Sequence, residues 1–183
     1  MYELFKAKAV GVGAEVYRVE SKRDALDFIL SFLEKEGVSD APGSYAVWAD
    51  SPFLEGIDKR ELTAIPGVGF EVSRLRASQA KVGISQMDWA VADTGSLVQD
   101  QCAAEQRLVS SLTCIHIALV PSGNILAGKP QLFARINPWT SKYIAFITGP
   151  SRTADIERVL TIGVHGPERL IIIFVDELGG ENI

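Results

Sequence analysis

The sequence predicts an α/β fold: a single domain with a mostly parallel sheet and helices on both faces. Three observations lead there. The run Leu170-Ile171-Ile172-Ile173-Phe174-Val175 is continuously apolar rather than alternating, as in strands covered on both sides. Segments of strand character alternate with segments of helical spacing along most of the chain. The 183 residues, 47% apolar and 22% charged with 8 prolines, suit one globular domain whose core needs neither disulfide nor metal staples.

Taken in order, residues 15–19 alternate as a short strand does. Ser21 then caps a segment with Leu26, Ile29, Leu30 and Leu33 at helical spacing; Asp24 stands three positions on, and Gly37 supplies the left-handed stop. Residues 44–49 read as a short apolar strand and 56–63 as a short helix ended by Pro66-Gly67. A strand is expected over 70–75 and one or two helical turns over 77–82. Trp89-Ala90-Val91-Ala92 and Ser96-Leu97-Val98 are β-like runs joined by Asp93-Thr94-Gly95, a turn expected to join antiparallel neighbours within an otherwise parallel sheet. Residues 103–112 fit a helix and 115–120 a buried strand stopped by Pro121, while Gly128 and Pro130 leave 126–136 ambiguous. Residues 143–148 read as a strand, Ile156, Val159, Leu160 and Gly163 mark one face of a helix, and 170–175 is the last strand.

Charge and cysteine usage narrow the function. Eighteen Lys and Arg against 23 Asp and Glu leave a net of -5, the wrong sign for phosphate-driven nucleic-acid binding; Arg74, Arg76 and Lys81 read as solvated surface. The start Met1-Tyr2-Glu3-Leu4-Phe5-Lys6 lacks the apolar core of a signal peptide, and the longest apolar run is far below the roughly 20 residues of a membrane span. A cytoplasmic protein without a membrane span is therefore expected. Cys102 and Cys114 are too few for a disulfide framework or for the thiolates of an ordinary iron-sulfur cluster; with no CxxC spacing and no adjacent His or Lys, both read as small packing residues.

The densest candidate chemistry lies in Thr148-Gly149-Pro150-Ser151-Arg152-Thr153-Ala154-Asp155-Ile156-Glu157, read as the junction of a strand and a helix. A helix start there offers free amides, Ser151 or Thr153 as cap, and the planar fork of Arg152 for an anion. The same residues also serve as a plain turn and cap, with Asp155 complementing the helix dipole. His165, in His165-Gly166-Pro167, suits proton transfer near neutral pH or simply ends the helix. Asp93-Thr94-Gly95-Ser96 brings an acid, two hydroxyls and open amides to a ligand, or is only a β-turn. His116, between apolar neighbours, reads as a hydrogen-bonded sheet residue, and two isolated histidines give no metal-ligand spacing. Gly11-Val12-Gly13 precedes a strand and is a poor phosphate loop.

Three blocks together resemble the LUD domain, specifically the lactate-utilization protein C family. They are Ala92-Asp93-Thr94-Gly95-Ser96-Leu97; Arg107-Leu108 leading to Ile115-His116-Ile117-Ala118-Leu119-Val120-Pro121; and residues 149–157 followed by Gly163-Val164-His165-Gly166-Pro167. The resemblance runs over about residues 10–176. The family's usual Pro-Pro before the second block is here Thr113-Cys114, no counterpart of its helical amino-terminal extension is expected from these residues, and residues 122–140 carry no alignable motif. The resemblance implies the fold shared by glucosamine-6-phosphate deaminase, ribose-5-phosphate isomerase and the CoA transferases. It also implies two iron-sulfur partner proteins, with which members of the family oxidise L-lactate to pyruvate.

Side chains alone do not carry a two-electron oxidation. The chain is therefore expected to hold no cofactor of its own, to bind a small anion such as lactate or to assemble the complex, and to leave iron-sulfur clusters to the partners. The expected ligand-binding residues are Thr94, Gly95, Ser96, Gly149, Ser151, Arg152, Thr153, Asp155 and Gly166, with Arg152 holding the carboxylate. His165 or Asp93 would accept the hydroxyl proton. The alternatives are a binding or regulatory module for a small anion or acyl-CoA and, ranked last because no CoA-transferase glutamate motif is present, an independent transferase or isomerase.

Overall fold

The computed structural model describes residues 1–100, 103–137, 139–154 and 160–179. The chain opens with helix α1 (Tyr2–Gly11), strand β1 (Glu15–Val19) and helix α2 (Lys22–Lys35). The start of α2 is the expected one and is a full capping box: the Ser21 hydroxyl accepts from the Asp24 amide at 3.1 Å, and the Asp24 carboxylate accepts from the Ser21 amide at 3.1 Å. Ser21→Ala should therefore lower stability by about 1 kcal/mol. The urea midpoint should move at an unchanged m-value, and an unmoved midpoint would remove the box from the stabilising interactions.

Strand β2 (Tyr45–Trp48), helix α3 (Lys59–Thr63), strand β3 (Val68–Gly69), helix α4 (Arg74–Ser78) and strand β4 (Ala80–Gln86) follow. Helix precedes strand here, which corrects the expected order over 70–82. Ser73 caps α4 by accepting from the Arg76 amide at 3.2 Å, and the alternation of Val82 and Ile84 belongs to β4. Next come β5 (Trp89–Val91) and β6 (Ser96–Asp100), paired antiparallel as expected, then α5 (Ala104–Leu112) and β7 (Ile115–Pro121). The ambiguous segment holds a short β8 (Ile125–Leu126) and α6 (Lys129–Phe133); the last strands are β9 (Ile144–Ile147), β10 (Arg152–Ala154), β11 (Leu160–Ile162) and β12 (Arg169–Val175).

Six strands pair in the order β1-β12-β7-β4-β2-β3, each parallel to its neighbours. The β5–β6 hairpin is not among them. It forms a separate sheet, β8-β5-β6-β9, which packs Ala90 and Leu97 against Ala118 of β7 and Ile172 of β12. Helix α2 covers the opposite face with Leu26, Ile29 and Leu33, and α4 and α5 contribute Ala77 and Val109 over Tyr45 and Val47. Ile171, Ile173 and Val175 enter one core cluster and Leu170, Ile172 and Phe174 the other, so β12 is apolar on both faces after Arg169. Each such burial stabilises by roughly 1.5–3 kcal/mol.

Helix α1 carries no broad apolar stripe: only Phe5 and Ala9, one turn apart, are buried, while Leu4 and Val10 face solvent. Phe5 meets Phe174 edge-on, with ring centroids 5.1 Å apart.

The helix expected over 156–163 is corrected where it can be seen. Leu160–Ile162 is a strand antiparallel to Arg152–Ala154, with Arg152 opposite Ile162 and Ala154 opposite Leu160. Thr153, Thr161 and Ile162 are β-branched and favour extended backbone. Residues 155–159, which include Asp155, Ile156 and Val159, lie outside the described residues, as does Cys102. Among the described residues, no helix is long and apolar enough to cross a membrane.

Candidate functional site

The motif residues gather where the strands of the parallel sheet begin. Four junctions meet there: residues 12–13 before β1, Thr113-Cys114 before β7, Pro167-Glu168 before β12, and the segment that follows β9. Strand β9 belongs to the small sheet. The rule that ligands sit beyond the carboxyl ends of parallel strands therefore does not place residues 148–152, and these residues lie at the opposite edge.

Hydrogen bonds and close contacts tie the motifs together. The Ser96 and Thr148 hydroxyls share a hydrogen bond of 2.7 Å, which links the hairpin turn to the 148–152 segment. The Ser151 amide donates to the Pro167 carbonyl at 2.8 Å, and the Gly163 amide donates to the Ser151 carbonyl at 3.1 Å. A Cβ on Gly166 would stand 3.2 Å from the Ser151 Cβ, so the two loops touch. Gly149 takes φ +70°, and a Cβ there would come within 2.6 Å of the Val12 carbonyl oxygen, so both backbone conformation and space demand glycine.

Arg152 is exposed and donates through Nη2 to the Val12 carbonyl. With residues 152–154 in a strand, no helix start at Ser151 or Thr153 presents amides to an anion, which corrects that expectation. The guanidinium itself remains: one of its five N–H groups is placed by Val12, and it continues to carry a fixed positive charge.

A cavity of about 430 Å³ opens between the end of α5 and the 163–166 loop, lined by Thr113, Cys114, Val164, His165 and Gly166 among others. His165 is exposed. Cys114 is also exposed, and its thiol is free, so it is not the small packing residue the sequence suggests. Strand spacing was the available signal: Cys114 precedes His116 by two positions, yet stands before the strand is covered. Asp93 does not join this cavity. It is exposed, and its carboxylate lies 2.8 Å from where a Cβ on Gly128 would be, toward α6 rather than His165. Thr94 Oγ1 is buried without a hydrogen-bond partner, and Gly95 packs on the Lys8-Ala9 backbone.

Beneath the edge, His116 is fully buried on β7 as a hydrogen-bonded sheet residue, its Nε2 2.8 Å from the Ser85 hydroxyl. Its Nδ1 has no partner, and burial lowers its pKa to about 4, so the ring is neutral.

A parallel six-stranded sheet with helices on both faces, a small mixed sheet stacked on one of them and a cavity at the amino-terminal edge define the class of protein. The LUD domain is matched over residues 2–175, and the chain belongs to that family. A lactate utilization protein C from Macrococcus caseolyticus is 34% identical over 170 residues, 87% of this chain and 71% of that protein. Proteins of the same name from an Exiguobacterium species and from Halalkalibacterium halodurans are both 33% identical, over 114 and 108 residues. Of those two proteins the matched part spans 50% and 47%, about half their length. In structure, a DUF162 family protein from Deinococcus radiodurans superposes with a TM-score of 0.65 at 18% identity, covering 95% of both chains, which shows the shared fold.

Proposed function

We propose that this chain is the substrate-binding or assembly subunit of a system that oxidises L-lactate to pyruvate together with iron-sulfur partner proteins. The observation that supports this reading is the convergence of Ser96, Ser151, Arg152, His165 and Gly166 around one edge of the sheet, in a chain whose relatives are named lactate utilization protein C. Arg152 pairs with the carboxylate of the bound acid through the N–H groups that Val12 leaves open. His165, on the cavity wall, accepts the hydroxyl proton. Asp93, directed toward Gly128, serves the turn rather than the acid. Electron transfer requires a centre that side chains do not provide, and two cysteines fall short of an ordinary four-thiolate cluster, so the redox group sits on a partner.

Thermal unfolding of the purified chain with L-lactate or pyruvate tests the reading. At about a hundred times Kd, ligand should add about 2.7 kcal/mol, a Tm rise of roughly 5 to 11 °C. Arg152→Ala should weaken binding roughly 10- to 100-fold and impair growth on lactate of cells that rely on the system. No shift with either acid, or unimpaired growth at normal protein level, overturns the assignment; a shift produced only by CoA or a sugar phosphate moves it to the binding module or the transferase.

A further inference from the structure

We infer that β9 is the seam of a two-fold dimer, in which the β9 edges of two copies pair antiparallel and join their small sheets into one of eight strands. Such a dimer is independent of what the candidate site binds. In the two larger sheets, four strands lie at an edge: β1, β3, β8 and β9. An open edge presents a row of unpaired N–H and C=O groups, and proteins blunt it with charge, proline, bulges or brevity. Strands β3 and β8 are two residues long, and β1 carries Glu15 and Arg18. Strand β9 has none of the first three devices. Its residues Ile144-Ala145-Phe146-Ile147 hold no charge and no proline, and they pair with β6 in unbroken register. Every second residue of such a strand turns its N–H and C=O away from the paired neighbour. Among the described residues, no strand receives those of β9.

Exposed aromatic side chains gather around the same edge. Among the described residues and apart from Tyr17, the strongly exposed ones are Phe133, Trp139, Tyr143 and Phe146, between 43% and 95% exposed. They serve both sides of the strand. The Phe146 ring meets that of Phe133 on α6, with centroids 6.5 Å apart, while the Arg107 guanidinium of α5 lies 4.9 Å from the centroid of Tyr143. Aromatic residues and arginine are the side chains in which interface centres are enriched.

The occupant that fits is a second copy. A two-fold axis set across β9 lays the strand antiparallel to itself, so outward N–H groups meet outward C=O groups with no other strand supplied. The same axis brings both sets of aromatic side chains to one seam, and no charge inside the strand faces its own image. At roughly 200 Å² for a fully exposed aromatic side chain, the four present about 500 Å². That is more than half of the roughly 800 Å² each partner buries in a standard interface, and the open backbone of β9 adds to it. Because the pairing closes on itself, assembly stops at two. Strand β9 runs directly into Thr148, whose hydroxyl is bonded to that of Ser96, so the seam adjoins the segment that carries Arg152.

Sedimentation velocity of the full chain over a wide concentration range should show a species of twice 19.9 kDa that dissociates to the monomer on dilution. Phe146→Lys puts like charges on both sides of the seam and should raise the dissociation constant at least about tenfold. Trp139→Ala removes a side chain that is 95% exposed, so it should weaken the dimer by roughly tenfold while the urea midpoint of the dilute monomer stays in place. Hydrogen exchange at the outward amides of residues 144–147 should slow as the concentration rises through the dissociation constant. A monomer at every concentration, a dimer that both variants leave intact, or assemblies that grow beyond two copies overturn the proposal. Protection of residues 144–147 that arises only when a different protein is added overturns it as well.

Discussion

Gly95→Ala should destabilise the protein by about 2–5 kcal/mol, far more than its one added methyl suggests. Gly95 takes φ +65°, and a Cβ there would stand 2.5 Å from the Ala9 nitrogen, 2.8 Å from the Lys8 carbonyl carbon and 2.9 Å from the Ala9 Cα. All three are backbone atoms of α1, so no side chain can swing aside. The helix would have to lift, yet Phe5 and Ala9 anchor it in the core beside Phe174. Gly37→Ala is the matched control: φ is +70° and no atom lies within 4 Å, so it carries the left-handed backbone cost alone, about 1 kcal/mol. Urea unfolding of the two variants separates strain from collision, and equal losses would show that α1 yields freely. A second effect follows at the cavity edge. The chain leaving α1 carries the Val12 carbonyl that positions Arg152 and packs on Gly149, so lifting α1 should weaken the proposed carboxylate binding at Arg152 even in the surviving folded fraction.

How much of this was legible in the sequence depends on whether a signal was local. The β12 and β7 runs are read correctly because each strand's burial is written in its own residues; β1 stands where expected, although its burial does not alternate. The α2 cap is correct for the same reason, since Ser21 and Asp24 satisfy each other within one turn. The hairpin is read correctly as a hairpin and wrongly as part of the main sheet, because turn chemistry at 93–95 fixes the pairing of β5 with β6 but says nothing of which sheet they join. Helix α1 escapes notice because only two of its residues are buried. At 152–162, apolar spacing suited to a helix face competes with β-branched residues, and strand pairing wins where it can be seen. The motif residues were chosen for their chemistry, and Ser96, Ser151, Arg152, His165 and Gly166 do gather at one edge. Their location at the amino-terminal edge was not legible, because it follows from β9 lying outside the parallel sheet. Cys114 reads as a packing residue from sequence, and its exposure was not legible because it depends on which elements cover the residue before β7.

Acid should weaken the fold through His116 before it reaches the carboxylates. The ring is fully buried against Ser85 with Nδ1 unpaired, and burial places its pKa at about 4 in the folded protein, against an ordinary value of 6.5 in the unfolded chain. Above pH 6.5 both states hold a neutral ring and the group contributes no pH dependence. Between about pH 6.5 and 4 the unfolded chain binds a proton that the folded protein refuses, so stability falls as the pH falls. The loss from this residue approaches a value on the order of 3 kcal/mol and stops growing once both states are protonated. The acids act lower. Ser122 and Arg18 beside it hold the Asp176 carboxyl below its usual range, Arg18 donating to it at 2.8 Å; at Glu36 burial pushes upward, but hydrogen bonds from Lys81 and Arg169 outweigh it. Their stabilisation is fully present above the ordinary carboxylate range and is lost only as pH falls through their lowered folded values. The interval from pH 7 to pH 5 therefore reports mainly on His116. In urea titrations over that interval the parent protein should lose stability steadily, while His116→Asn, which keeps a hydrogen-bonding group opposite Ser85, should show a flatter dependence whatever its absolute stability. Parallel curves would mean that the buried ring accepts its proton in place. A flattened curve would establish that the layer beneath the candidate site tolerates no charge, so a proton moved during ligand chemistry would not travel through the buried His116 ring.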